Sequence, residues 1–196
     1  MRVNRPGTVT LSGLGTVLAA ALAVLLFARS ESAEAKTCRP LPEARTIEAS
    51  LNRFWGISAR LCQADGLVSE AAANPDQGMI HANRRWLIAM DRQYGNWAVA
   101  GILAHEWGHM VQNRPQGTAA ELQADCLAGA FLRAGGFSET DAIRFADLSF
   151  QNGDLERSAY GHGTGVQREK AVLQGYRGFD DRSGQSLDRV CPFGVT

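Results

Sequence analysis

Residues 97–113 read WAVAGILAHEWGHMVQN and predict the central helix of the fold. Small and apolar residues fill this stretch and no proline interrupts it, which is typical of a buried helix. Asn96 is suited to cap its first turn, and residues 114–117 (RPQG) break it. A similar composition resumes at 118–135 (TAAELQADCLAGAFLRAG). We therefore predict two consecutive helices that pack as an antiparallel hairpin.

The rest of the chain after Lys36 also favours helices. Ser138 with Asp141 resembles an N-terminal capping pattern. Apolar spacing and turn residues predict helices at 42–61, 84–94, 139–150 and 164–176, a brief strand at 78–82, and a loop at 63–78 with room for a short helix at 68–73. The predicted fold class is mainly α (α+β).

The first 35 residues are predicted to be an export signal. A short basic start precedes an uncharged apolar run at 16–27, and Ala33-Glu34-Ala35 forms an A-x-A-like cleavage site. The alternative is an uncleaved anchor, and we expect contact with a membrane only in that case. Both interpretations place residues 36–196, which we predict to form a single domain, in the periplasm or outside the cell.

Composition excludes several classes of protein. The chain has 196 residues, of which 45% are hydrophobic, and its 20 basic side chains balance 20 acidic ones. The apolar fraction is sufficient to fill a core, so a wholly disordered chain is excluded. The neutral balance gives no reason to expect a nucleic-acid partner, since such proteins normally carry a basic excess.

Four cysteines, at positions 38, 62, 126 and 191, lie in the part of the chain that we expect to be exported. An oxidising compartment permits disulfides, and four cysteines allow three pairings. Their spacing does not choose among these pairings. Cys126 falls on the apolar face of a predicted helix, where a small buried hydrophobic residue is the alternative interpretation.

The central helix contains the sequence His105-Glu106-Trp107-Gly108-His109. Two histidines four residues apart project from one helical face, so both imidazoles can reach the same ion. Glu106 lies between them, where a carboxylate can act as a general base. The apolar surroundings favour a metal site over a pair of histidines on a solvated face.

A catalytic zinc site takes three protein ligands. The candidates for the third ligand are His81, His162 and the carboxylates. In an antiparallel hairpin, residues equally far from the turn face each other. The turn is centred near Pro115, and Glu121 lies about as far after it as His109 lies before it. This symmetry favours Glu121.

The same symmetry places Asp125 opposite His105. Asp125 also shares the helical face of Glu121, because four residues separate the two. A carboxylate in that position accepts a hydrogen bond from the second nitrogen of a ligand histidine and orients the ring. The alternative for both acidic residues is a solvated helix face.

Three ordered motifs carry a resemblance to a known family. They are GNWA…AHEWGHMVQ at 95–112, ELQADCLAG at 121–129, and HGT…QR at 162–168 followed by GY at 175–176. In this order they resemble the bacterial neutral zinc metallopeptidase family, over about residues 78–178. The order H-E-x-x-H and then E-x-x-x-D also resembles the gluzincins, which include thermolysin and the membrane-associated heat-shock peptidases.

The resemblance implies a zinc peptidase with a compact, zincin-like helical domain and a short strand or small sheet beside the H-E-x-x-H helix. The residues that it implies are His105, His109 and Glu121 as zinc ligands, Glu106 as general base, Asp125 and Arg168 as supports of the site, and His162 as a stabiliser of the oxyanion.

Together these observations predict an exported zinc-dependent metallopeptidase that acts on peptide or protein substrates. The alternatives are a non-catalytic, zinc-stabilised binding module at the cell envelope and a zinc hydrolase of a non-peptide cell-wall amide. Glu106 opposes the binding module, because a structural zinc site needs no base between its ligands. The strand at 78–82 is a candidate edge for an extended peptide, with a purely structural strand and a surface His81 as the alternative.

Overall fold

Helices dominate the computed structural model, which describes residues 38–68, 70–112, 116–180 and 186–194. The export signal predicted at 1–35 lies outside these residues. After a 3-10 turn at Pro42–Ala44 the elements are α1 (Arg45–Trp55), β1 (Arg60–Gln63), β2 (Ala71–Asn74), β3 (Met79–Ala82), α2 (Arg84–Tyr94), α3 (Asn96–Val111), α4 (Thr118–Ala134), α5 (Glu139–Gln151), α6 (Gly165–Gly178) and α7 (Leu187–Val190). The mainly helical α+β fold is confirmed.

The three strands form one small sheet in the order β1-β3-β2. β1 runs parallel to β3, and β2 runs antiparallel to it. The outer side of β1 is covered near Arg39, whose carbonyl accepts from the Gln63 N–H at 2.7 Å. β3 is therefore central, with a neighbour on each side. The expectation that the strand at 78–82 offers a free edge is wrong, and β2 takes the edge position instead.

The helix predicted at 42–61 is wrong beyond Trp55. Gly56 ends α1 in the left-handed conformation, with φ of 66°. The Asn52 side chain then bonds both backbone groups of Ala59, accepting from its N–H at 3.0 Å and donating to its carbonyl at 2.8 Å. These bonds turn the chain directly into β1.

The short helix allowed for at 68–73 is also wrong, because that stretch leads into β2. Three of the four residues of β2 are alanines, which on their own favour a helix. Pairing with β3 holds them extended, with Ala72 opposite His81. Tertiary contacts thus override the local preference here.

Glycines let the helices around α4 approach to backbone contact. A Cβ built on Gly129 would lie 2.0 Å from the Val172 carbonyl oxygen, and one on Gly175 would lie 1.8 Å from that of Cys126. α4 and α6 are therefore packed without room for side chains at these points. α3 and α4 are also close at Gly108, where an added Cβ would lie 3.2 Å from the Ala124 Cα.

The helix boundaries follow capping chemistry in most places. The Ser138 and Asp141 capping box predicted for α5 is present, and Thr164 begins α6 in the same way. Asn96 is not a cap, since Gly95 occupies that position and provides no side-chain hydrogen bond. The positive φ of Gly95, 97°, allows α3 to follow α2 without an intervening loop.

Two disulfides cross-link the fold, Cys38–Cys62 and Cys126–Cys191. The alternative interpretation of Cys126 as an unpaired buried residue is wrong, and no cysteine of the described ranges is free. Disulfides of this kind fit an oxidising compartment. Within the same ranges, no helix is both long enough and apolar enough to cross a membrane.

Candidate metal centre

Three side chains from two helices converge on one point. His105 and His109 lie one turn apart on α3, and Glu121 comes from the first turn of α4. The two histidine Nε2 atoms lie 3.1 Å apart. Glu121 places Oε2 3.3 Å from the Nε2 of His105 and Oε1 3.5 Å from that of His109. This group could hold a metal ion.

The spacing of the two histidine nitrogens suits a tetrahedral ion. Metal–ligand distances of about 2.0–2.1 Å place the ligand atoms of a regular tetrahedron about 3.3–3.4 Å apart, because each edge is about 1.63 times the bond length. The two Nε2 atoms lie 3.1 Å apart, close to that value, and each lies within 3.5 Å of a different oxygen of Glu121. Three protein ligands would leave one corner of a tetrahedron without a protein ligand.

Hydrogen bonds to the other ring nitrogens orient both histidines. Asp125 Oδ1 lies 2.9 Å from the Nδ1 of His105, and Gln112 Oε1 lies 2.9 Å from the Nδ1 of His109. The Gln112 side chain is itself fixed, since its Nε2 donates to the Ala120 carbonyl at 2.7 Å. With protons on the Nδ1 atoms, both Nε2 lone pairs are directed at the candidate metal position.

Behind the ligands, Asp125 is fully buried against Arg168. The guanidinium donates from Nε to Oδ2 at 2.8 Å and from Nη2 to Oδ1 at 2.9 Å, a bidentate ion pair. Burial acts to raise the pKa of Asp125, but the hydrogen bonds from Arg168 and His105 hold it below its ordinary value. The carboxylate therefore stays ionised inside the protein.

When no metal is bound, the ionisable side chains of this group shift one another's pKa. Burial acts to lower the pKa of His105, but its bonds to Asp125 and Glu121 outweigh burial and raise that pKa to about 10. Burial acts to raise the pKa of Glu121, but the two histidines hold it far below its ordinary value. A proton on His105 thus occupies the position of positive charge that a cation would take.

Glu106 lies beside the metal ligands at the edge of the sheet. Its Oε2 accepts the Ala73 N–H at 2.7 Å. The Asn83 N–H donates to the Glu70 carbonyl at 2.7 Å, and hydrogen-bonded pairs alternate along an antiparallel ladder. Ala71 and Ala73 therefore direct their peptide groups away from β3, and the Ala73 N–H meets Glu106 of α3. The strand β2 therefore holds the Glu106 carboxylate through a backbone amide and not through a side chain.

The metal-binding group and Glu106 border one open cleft of about 810 Å³. Its lining includes residues of β2, the two histidines and Glu106 of α3, and residues of α5 and the segment that follows it. His162 and Arg168 also line it. His81 lies on β3 and belongs neither to the cleft lining nor to the metal-binding group.

His162 is exposed and belongs to the loop that joins α5 to α6. This loop is anchored at two points. Asp154 and Gly163 bond each other, the Asp154 N–H donating to the Gly163 carbonyl at 2.8 Å. The Thr118 N–H donates to the Ala159 carbonyl at 3.1 Å. The loop is therefore fixed to the start of α4, and His162 occupies a defined wall of the cleft.

Sequence reasoning missed three groups that shape the site. Gln112 lies three residues after His109, so helical spacing alone could have placed it beside the ligand. The Ala73 amide and the Asn152 carbonyl, which accepts from Arg168 Nη1 at 3.1 Å, are backbone groups from distant segments. No local pattern identifies such groups.

Comparison with known protein families, with curated proteins and with solved structures finds no match to this chain. The resemblance of the three sequence motifs to the neutral zinc metallopeptidases therefore stays a prediction. The functional argument below depends on the geometry of the metal-binding group and its cleft.

Proposed function

We propose that this protein is an exported, zinc-dependent metallopeptidase. The observation that carries the proposal is the convergence of His105, His109 and Glu121, whose ligand atoms lie close enough together to hold one metal ion. Two imidazoles and one carboxylate favour zinc over calcium or magnesium, which take oxygen ligands. Zinc, when bound, supplies a Lewis acid that polarises a carbonyl group and lowers the pKa of water.

Glu106 is the proposed general base and then general acid. It takes a proton from the attacking water and later delivers it to the leaving amine. The Ala73 N–H bonds Oε2 of this carboxylate, so we assign the proton transfer to Oε1. A second consequence is that Glu106 cannot swing away from the cluster without losing a charge-assisted hydrogen bond.

The edge of β2 is the proposed docking strand for the substrate backbone. The Ala73 N–H is bonded to Glu106, but the Ala73 carbonyl and the peptide groups of Ala71 also face away from β3 in the cleft lining. An extended peptide can bond to such an edge in a way that tolerates many sequences. This feature favours a peptide over a non-peptide cell-wall amide, which lacks a regular series of backbone donors and acceptors.

His162 is the proposed donor to the oxyanion that forms during attack. Its loop is anchored on both sides and it lines the same cleft as the ligands. Donors of this type elsewhere lower the barrier by about 3–4 kcal/mol. Replacement of His162 by Ala is then expected to reduce kcat by about two orders of magnitude or more while zinc content stays unchanged.

The test combines metal analysis with digestion of a peptide library. Wild type and Glu106→Gln should each contain one zinc per chain, and only wild type should cut, since loss of a general base costs about 10²–10⁴ in rate. Glu121→Ala should lose the metal. Glu169→Gln on α6 is the matched control and should behave as wild type.

The outcomes distinguish the candidate functions. Full turnover by Glu106→Gln would exclude the mechanism. Zinc binding with no cleavage by wild type would favour the zinc-stabilised binding module. For export, the mass of the protein recovered outside the cytoplasm should correspond to cleavage after Ala35, and an intact amino terminus would favour the anchor.

A further inference from the structure

The cleft has an apolar end that the metal chemistry does not require. Its lining side chains come from three helices and are Trp86, Met90 and Tyr94 of α2, Ile102 of α3, and Phe145 and Leu148 of α5. The α2 residues follow one another at intervals of four, so they share one helical face. Together they form a pocket with aromatic and aliphatic walls.

This apolar pocket lies close to the candidate metal position. Ile102 precedes His105 by three residues, less than one turn of α3. Phe145 packs directly on the same helix, because a Cβ on Gly101 would lie 2.5 Å from its ring. A substrate side chain in the pocket would therefore belong to a residue at or next to the bond that is cut.

Ser149 adds one polar group to the same wall. It follows Leu148 on α5, lines the cleft, and is only 4% exposed. Within the described ranges its hydroxyl makes no hydrogen bond to the protein, although a helical serine can bond the carbonyl four residues earlier. The hydroxyl is not among the fully buried unpartnered atoms, so it keeps a small accessible surface in the cleft and can bond a ligand group there.

We propose that the apolar pocket binds a large aromatic side chain of the substrate and that Ser149 bonds its hydroxyl, so that tyrosine is preferred over phenylalanine. This inference rests on the proposed peptidase function and deepens it by naming a substrate class. The walls supply burial for the ring, and Ser149 supplies the discrimination between the two aromatic residues. A site that bonds a substrate hydroxyl disfavours the analogue that lacks it.

The test measures binding, so that it does not depend on turnover. Zinc-loaded Glu106→Gln protein is titrated by calorimetry with blocked peptides Gly-Gly-X-Gly-Gly, where X is Tyr, Phe or Ala. We expect the Phe peptide to bind about tenfold or more tightly than the Ala peptide, from burial of the ring. The Tyr peptide should exceed the Phe peptide by about three- to tenfold, the value of one hydrogen bond.

Two further variants in the same background locate the effect. Adding Ser149→Ala should bring the Tyr peptide to the affinity of the Phe peptide and leave the Phe peptide unchanged. The matched control Ser50→Ala, on α1 away from the cleft, should keep the difference. Adding Leu148→Trp, at a half-buried wall position, should fill the pocket and bring both aromatic peptides to the affinity of the Ala peptide.

Equal affinity for the three peptides, or a Tyr preference that survives Ser149→Ala, would overturn the inference. The result for the peptidase proposal is independent. Selective binding of the Tyr peptide with no cleavage by wild type would support the pocket and contradict the peptidase. Cleavage by wild type with no aromatic preference would support the peptidase and contradict the pocket.

Discussion

Two regions border the cleft and contribute to it in different ways. The helical region, α3, α4 and α6, supplies the metal-binding group and the buried pair of Asp125 and Arg168. The sheet region, β1 to β3, supplies backbone groups, of which the Ala73 amide is the one bonded to Glu106. Charged groups in fixed positions require rigid backbones behind them. An edge strand such as β2 contributes to the cleft through its peptide groups, so alanine side chains are sufficient there.

The first prediction compares a glycine of each region. Gly175→Ala in α6 would place a Cβ 1.8 Å from a carbonyl oxygen of α4, and neither backbone can retreat. We expect a loss of about 3 kcal/mol or more in the free energy of unfolding. Gly78→Ala, in the turn before β3, meets no atom within 4 Å but keeps a positive φ of 64°. That change should cost about 1–2 kcal/mol.

Urea unfolding of both variants, with zinc content measured in parallel, checks this expectation. Gly175→Ala should also weaken zinc binding, because α4 carries Glu121. Equal losses for the two variants would mean that the α4–α6 contact can relax, and the helical region would then not be the more rigid one.

The same contrast explains how much the sequence could predict. The helices α2 to α6 were predicted closely, because their apolar spacing and caps are local features, whereas the four-residue helix α7 was not predicted. The strands β1 and β2 were not, since β2 is an alanine-rich tetrapeptide whose extended form depends on pairing with β3. The first helix is predicted too long for a similar reason. Gly56 and the hydrogen bonds between Asn52 and Ala59 end it, although apolar residues continue at helical spacing after that point.

Within the site, the contacts between the two adjacent helices α3 and α4 could be predicted. Mirror symmetry about the turn near Pro115 placed Glu121 and Asp125 opposite the two histidines, where the structure has them. The cleft could not be predicted in this way. Its walls combine β2 with α2, α5 and the loop before α6, and only tertiary packing brings these segments together.

The second prediction compares two arginine pairs. Arg168→Leu would leave Asp125 fully buried without its partner, and we expect a loss of about 3–5 kcal/mol in unfolding free energy. Arg84→Ala, beside the sheet, removes an exposed pair with Glu43 and should cost about 0–1 kcal/mol. Thermal and urea unfolding measure both, and comparable losses would show that Asp125 finds water or another donor.

The third prediction concerns metal and pH. Zinc at about 100 times its Kd should stabilise the protein by about 2.7 kcal/mol, and Glu121→Ala should abolish this gain. In the metal-free protein the pKa of His105 is raised from 6.5 to about 10. The stability that its proton contributes is therefore complete below pH 6.5 and is lost as the pH rises through about 10.

Zinc must displace that proton, so its stabilising effect should grow between pH 6.5 and about 10, where the metal-free protein weakens. Calorimetry at pH 8 in two buffers of different ionisation enthalpy should show a proton released on zinc binding. A stabilisation that does not change over this range, with no proton released, would contradict the coupling of His105 to Asp125 and Glu121.

The smallest expected difference concerns the two disulfides, one in each region. Cys126–Cys191 closes a separation of 65 residues and Cys38–Cys62 one of 24. Loop-closure entropy gives about 4.3 and about 3.5 kcal/mol respectively for their removal. Double alanine variants of each pair, compared by urea unfolding under oxidising conditions, should thus differ by less than about 1 kcal/mol. A much larger loss for the Cys126 pair would show that this bond holds α4 in its native position, beyond restricting the unfolded chain, since Cys126 directly follows Asp125.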